Sequence, residues 1–378
     1  MRGLPPLFLS PAPSTPPATM DKLPAELLLD IFSYACNDGG YTGRALALVS
    51  KYVYAVSEHV RYQSVAVYGA RHIETLSFRL TSSHPDAGLR KIRHLLLSDR
   101  SLSSSSSSSS PNPQQSNVTS SDGGDGGGQL VTNITFILAA IAPHLETLLL
   151  ILTTLRKPTP LALSVLSFLS DLPFLPLIPT DLPALRELTI ASPLIPLSFQ
   201  HSKKASKLER LHIATHTELP VALGQLLRRI APGLTHLRVS SVRGKTDGGG
   251  LFGLLETLVA QGGDTKGKIP KHLRRVIVAP RPATRSRGVS RVFGTLSPGL
   301  KSVCEVDTMG RVLVVQTADC LKEDKDHEKE LYNRRYKDLK GEWLERLLGN
   351  PGCWIEGSGF KSRDEGKRGL YVDTDDFS

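Results

Sequence analysis

The chain has 378 residues, 40% of them hydrophobic and 22% charged, enough to bury a sizeable core in two or three structural units. No apolar run approaches the roughly 18 residues of a membrane helix, and prolines break the opening "MRGLPPLFLSPAPSTPP" before a secretory segment forms. Four scattered cysteines (Cys36, Cys304, Cys320, Cys353) without a C-x-x-C pair exclude a disulfide scaffold, and a formal charge of +10 leaves acidic proteins and nucleic acid open as partners.

Residues 1–19 read as a leader without packed structure, with Met20 as an alternative start. From 23 to 34, Leu23, Leu27, Leu28, Ile31 and Phe32 recur at helical spacing, and "NDGGYTG" then supplies turn chemistry. A second helical stretch is expected over 44–60, with Leu46, Val49, Val53 and Val56 on one face, before "SVAVYG" alternates like a strand. Leu23-Pro24-x-Glu26-Leu27-Leu28-x-x-Ile31-Phe32, followed by Leu48-Val49-Ser50-Lys51, resembles an F-box over residues 20–62. The resemblance implies a three-helix unit that docks on the Skp-type adaptor of cullin–RING ubiquitin ligases. It implies adaptor-facing roles for Leu23, Pro24, Leu27, Ile31 and Phe32 from the first helix and Val49, Ser50 and Lys51 from the second. The physical reading points the same way, because so short a unit buries too little surface to stand alone. The bland alternative is a cap on the domain that follows.

Over 63–320 a hexad, apolar-x-x-apolar-x-apolar, recurs six times. Its copies are Ile92/Leu95/Leu97, Leu145/Leu148/Leu150, Leu185/Leu188/Ile190, Leu208/Leu211/Ile213, Leu234/Leu237/Val239 and Leu273/Val276/Val278. Helix-like stretches such as "VALGQLLRRIAPG" lie between copies. The steps from Leu185 to Leu208 and from Leu208 to Leu234, 23 and 26 residues, suit a leucine-rich repeat. The pattern resembles a degenerate, irregular leucine-rich-repeat solenoid, with "SVAVYG" and "RHIETLSFRL" as a leading repeat and "GLKSVCEVD" as a trailing one. An ordinary α/β domain with buried parallel strands is the alternative, since the hexad also describes those. The fold class expected is therefore α/β.

Residues 101–129, rich in serine and glycine, read as a disordered insertion, because they cannot bury enough to offset their ordering entropy. After 320 the chain turns polar, and Leu331, Tyr332, Tyr336, Leu339, Trp343, Leu344 and Leu347 fall on one helical face. Gly349 and Pro351 stop this helix, which is expected over 321–350 as a cap on the solenoid's open end, followed by a flexible tail at 351–378.

Nothing in the sequence has the form of a catalytic device: there is no nucleophile elbow, no Walker loop and no dinucleotide fingerprint. His212 and His216 are four apart, but Leu211 and Ile213 put His212 on a strand without a third ligand, so neither a metal nor a cofactor is expected. The informative polar residues alternate with the buried hexad positions and are expected on the concave face: Glu187, Thr189, Arg210, His212, His236, Arg238 and Arg275. Arg210, His212, His236, Arg238 and Arg275 form a cationic stripe next to a segment, 266–291, without acids, and are expected to bind an acidic or phosphorylated protein target. With the F-box resemblance this implies a non-enzymatic substrate receptor, bound through the adaptor to a cullin scaffold, in the cytoplasm or nucleus. An F-box scaffold without a degradation target is one alternative. A basic nucleic-acid-binding repeat protein is the other, disfavoured by the lack of aromatics among the basic residues of 266–291.

Overall fold

The computed structural model describes residues 23–82, 88–100, 126–152, 175–192, 197–198, 202–215, 219–242, 250–260, 269–280, 284–285, 298–315, 321–322 and 325–354. Residues 1–22, almost all of the serine-rich insertion and the chain after Trp354 lie outside that set. So do His216 and residues 266–268, 281–283 and 286–291 of the basic segment.

The fold is α/β, with eight strands in one all-parallel sheet ordered strictly along the chain. They are β1 (Ser64–Tyr68), β2 (His94–Ser98), β3 (Thr147–Ile151), β4 (Glu187–Ala191), β5 (Arg210–Ala214), β6 (His236–Val242), β7 (Arg275–Pro280) and β8 (Val312–Val314). The hexads set the register. Leu95, Leu148, Leu188, Leu211, Leu237 and Val276 pair in one continuous row across β2 to β7. All eighteen hexad residues are buried. Because side chains alternate along a strand, this row and the one two residues on face one side of the sheet. Against that side pack α4 (Ala70–Thr81), α5 (Gly126–Ile141), α6 (Leu223–Ile230), α7 (Gly250–Val259) and α8 (Pro298–Val306). Among the described residues no helix lies between β3 and β5; Leu177, Ile178, Leu182 and Ala205 from those loops fill the core instead.

The trailing repeat differs from the sequence reading. "GLKSVCEV" is helix α8 rather than a strand, and β8 comes from the following "VLV". The third hexad position there is Glu305, whereas Leu300, Val303 and Cys304 have helical spacing and Pro298 takes the first helical position.

Before the sheet come α1 (Ala25–Ala35), α2 (Tyr41–Leu46) and α3 (Lys51–Ser57). The helix expected over 44–60 is thus two helices. The backbone breaks at Ser50, which is extended (φ −161°, ψ 163°), and its hydroxyl accepts from the Val53 N–H at 3.1 Å as the cap of α3. A serine three residues ahead of a buried valine was the signal for that break. The glycine-rich turn has a structural task. Gly39 and Gly40 take φ of +81° and +92°, which lets the Gly39 carbonyl accept from the Ala66 N–H at 3.0 Å along the free edge of β1. Gly43 sits against the Arg61 carbonyl with no room for a Cβ. The three helices therefore cover an edge strand that otherwise presents open hydrogen-bonding groups.

The last helix, α9 (Lys325–Leu347), takes a different place from the one expected. It lies on the sheet face opposite the connecting helices, with Tyr336, Leu339 and Trp343 packed against Leu96, Leu149, Ile151, Ala191 and Ala214. Its stop follows the sequence signal, with Gly349 at φ +83°. The packed chain runs a little further than the sequence predicts: Trp354, expected in a flexible tail, is buried. Among the described residues no helix is long and apolar enough to cross a membrane.

One titrating group ties fold stability to pH. His94 opens β2, and one of its ring nitrogens, Nδ1, is 3.0 Å from the Thr147 hydroxyl oxygen. Burial, assisted by Arg93 and opposed by Glu146, pushes its pKa down from 6.5 to about 4. The folded pKa lies below the unfolded one, so this contribution is present above about pH 6.5 and is lost as pH falls towards 4. At about 1.4 kcal/mol per pH unit, the loss is bounded at about 3.5 kcal/mol. His94→Gln is expected to lose less stability than wild type between pH 7.5 and 4.5 in urea denaturation; parallel losses contradict this.

Candidate functional site: an exposed helix face and a covered sheet face

On α1 the apolar residues divide between two faces. Leu28 and Phe32, four apart, turn inwards and join Cys36, Val53 and Val60 in a small core. Leu23, Leu27 and Ile31 turn outwards, with Leu27 and Ile31 52% and 53% exposed. Pro24 is exposed beside them and caps the helix start. In the turn between α2 and α3, Leu48 and Val49 are 87% and 60% exposed, and Ser50 and Lys51 follow, also exposed. The Tyr52 hydroxyl donates to the Leu23 carbonyl at 3.2 Å, which joins the two segments. Seven of the eight residues named for the adaptor therefore lie on exposed surface. Phe32 does not: at 2% exposure it is a core residue, because i,i+4 spacing places it under Leu28 rather than beside Ile31. Tyr34, 80% exposed, is an apolar surface residue that the motif did not single out.

The buried thiol of Cys36 takes no part in this face. Burial, with Asp38 adding to it, raises its pKa to about 11, so it stays protonated at neutral pH.

The sheet's other candidate surface carries the cationic stripe in the register foreseen. Arg210, His236 and Arg275 pair in one row across β5, β6 and β7, and His212 pairs with Arg238 two residues on. The surroundings of these side chains differ along the stripe. The Arg238 guanidinium donates to the Cys353 carbonyl at 2.7 Å and lies 3.9 Å from the Glu342 carboxylate. Arg210 lies 3.6 Å from Glu187. His212 is buried, with Nε2 2.8 Å from the Ser240 hydroxyl oxygen, and the His236 ring meets Trp354 edge-on at 6.1 Å. Arg275 is partly buried at the start of β7. Polar groups on a buried face must find partners: α9 and the turn after it supply those of Arg238 and His236, and neighbouring strands supply those of Arg210 and His212. Arg238 and His236 thus belong to an internal interface, whereas the Arg210 side chain stays 32% exposed.

Glu187 is the hub of that interface. It accepts from Arg346 Nε at 3.0 Å and from the Trp354 indole N–H at 3.0 Å, besides its contact with Arg210. Thr189, next along the same face, lines a small cleft between α9 and the sheet. Glu187→Ala leaves two guanidinium groups and an indole N–H without their acceptor. The expected cost is about 2 kcal/mol, less than the 3–5 of a sealed ion pair because Arg210 keeps contact with water. Urea denaturation measures it, and a loss under about 0.5 kcal/mol, the range of plain surface substitutions, refutes the hub role.

Compared with known proteins, the chain matches no family model and no curated protein.

Proposed function

We propose that the chain is a substrate receptor of an SCF-type cullin–RING ubiquitin ligase. In this reading α1–α3 form an F-box that docks a Skp-type adaptor, and the sheet domain is a degenerate leucine-rich-repeat solenoid that holds a protein target. The chain performs no chemistry itself. Tethering raises the local concentration of target lysines near the charged E2 carried by other subunits.

The observation that carries the reading is the division of α1. Leu28 and Phe32 suffice to bind it to its own unit, yet Leu23, Leu27 and Ile31 stay on the surface, as do Leu48 and Val49 in the turn before Tyr52, whose hydroxyl reaches Leu23. Contiguous exposed apolar residues rimmed by polar ones mark protein-interaction sites. A mere edge cap needs only the inward face and the Gly39 contact to β1. Because α9 occupies the face of the cationic stripe, target contacts fall on other surfaces of the sheet domain.

Co-expression with a Skp-type adaptor tests the proposal. A stoichiometric complex on size exclusion supports it, and separate elution of the two proteins refutes it, leaving α1–α3 as the cap of β1. Whether adaptor binding changes a partner's turnover separates a degradation receptor from an F-box scaffold.

A further inference from the structure

Three side chains brought together under α9 have no part in the docking face. His212 is on β5, Glu342 on α9 and Cys353 in the turn after α9. One donor atom from each, an imidazole nitrogen, a carboxylate oxygen and the thiol sulfur, all lie within 4.8 Å of one another. We propose that these three residues form a metal site of the zinc class that fastens the C-terminal segment to the sheet.

The donor set selects the ion. One nitrogen, one oxygen and one sulfur suit a borderline-soft divalent cation such as zinc, with water as a fourth ligand, and disfavour calcium and magnesium. Bonds of about 2.0–2.3 Å in a tetrahedron set ligand atoms about 3.3–3.6 Å apart, so closure takes roughly 1 Å of side-chain movement. Glu342 has the rotamers for that, and Cys353 sits in a turn. Both line the small cleft between α9 and the sheet. His212 is held from behind, with Nε2 2.8 Å from the Ser240 hydroxyl oxygen; the tautomer protonated at Nε2 would leave on Nδ1 the lone pair a metal needs. Such an outer hydrogen bond to a ligating imidazole is the usual support of a zinc site.

Protons and charges balance. A cation that binds the Cys353 sulfur replaces the thiol proton, which leaves to solvent. Metal, thiolate and carboxylate then sum to zero beside the Arg238 guanidinium. That guanidinium already lies 3.9 Å from Glu342 and opposes a second cation, so it tunes the affinity downwards. The rival reading is that Arg238 alone neutralises the cluster.

Cobalt(II), an absorbing stand-in for zinc, decides between them when titrated into the reduced full chain. One cobalt per chain is expected, with a thiolate-to-cobalt charge-transfer band in the near ultraviolet that zinc abolishes. Cys353→Ser should lose the band although the other three cysteines remain, Glu342→Gln should weaken binding at least tenfold, and Arg238→Gln should tighten it. Zinc should raise the unfolding temperature of wild type and not of Cys353→Ser; circular dichroism of metal-free samples confirms that the variants are folded. No band in wild type, or an undiminished band in Cys353→Ser, overturns the site and leaves Arg238 as the cation that neutralises the cluster.

Discussion

Trp343→Ala is expected to lower the stability of the fold by about 3–5 kcal/mol, the range for removing a buried indole from a packed core. Trp343 is buried at the centre of the second apolar cluster, with Tyr336 and Leu339 on its own helix and Leu96, Leu149 and Ile151 beneath it. Truncation therefore costs transfer energy and also leaves a cavity that a rigid parallel sheet cannot close. Trp343→Phe is the informative control. The indole N–H has no hydrogen-bond partner among the described residues, so phenylalanine keeps most of the packing and forfeits no bond. It is expected to cost well under half as much. Urea denaturation of the three proteins reads both values. A loss under about 1 kcal/mol for the alanine variant, within the range of ordinary substitutions, means that α9 does not rest on the sheet.

The sheet was legible because its strands are punctuated by one repeated constraint. Each hexad places three apolar residues on a single side of a strand, and the parallel ladder then aligns Leu95 with Leu148, Leu188, Leu211 and Leu237. No other register keeps all of them out of water. The position of α9 was harder to read, although a signal existed. Leu96, Leu149 and Ile151 are apolar at positions that the hexad leaves to the opposite face, so β2 and β3 are hydrophobic on both sides and require a cover there. The amphipathic C-terminal helix was the element available to supply it.

The cationic stripe shows why an alternation pattern fixes a side chain's direction and not its partner. Register put Arg210 and Arg238 on the right face. Glu187, which meets Arg210, is its register partner on β4, but Glu342 and the Cys353 carbonyl, which engage Arg238, come from the far C-terminal part of the chain. On α1 the difficulty was finer. Leu27, Leu28, Ile31 and Phe32 are all apolar, and helical periodicity splits them into two adjacent stripes without saying which one faces the unit's own core. The structure assigns Leu28 and Phe32 to the core and Leu27 and Ile31 to the surface.

That division makes the second large effect specific. Leu27→Ala with Ile31→Ala is expected to leave folding stability within about 0.5 kcal/mol of wild type, since both side chains are half in water already. In the proposed complex each becomes a buried anchor worth about 1.5–3 kcal/mol. Together they account for about 3–6 kcal/mol, a loss of about 10²–10⁴-fold in affinity for the adaptor. Phe32→Ala separates docking from folding in the opposite sense: it is expected to unfold the small core of α1–α3 and to lower stability by about 3 kcal/mol or more.

The docking face is tested most directly by calorimetric titration of a purified Skp-type adaptor into the full chain and into the Leu27→Ala/Ile31→Ala variant. The account predicts a one-to-one complex with wild type and an affinity at least about a hundredfold weaker for the variant, at an unchanged unfolding midpoint. No binding by wild type, or equal binding by both, contradicts it.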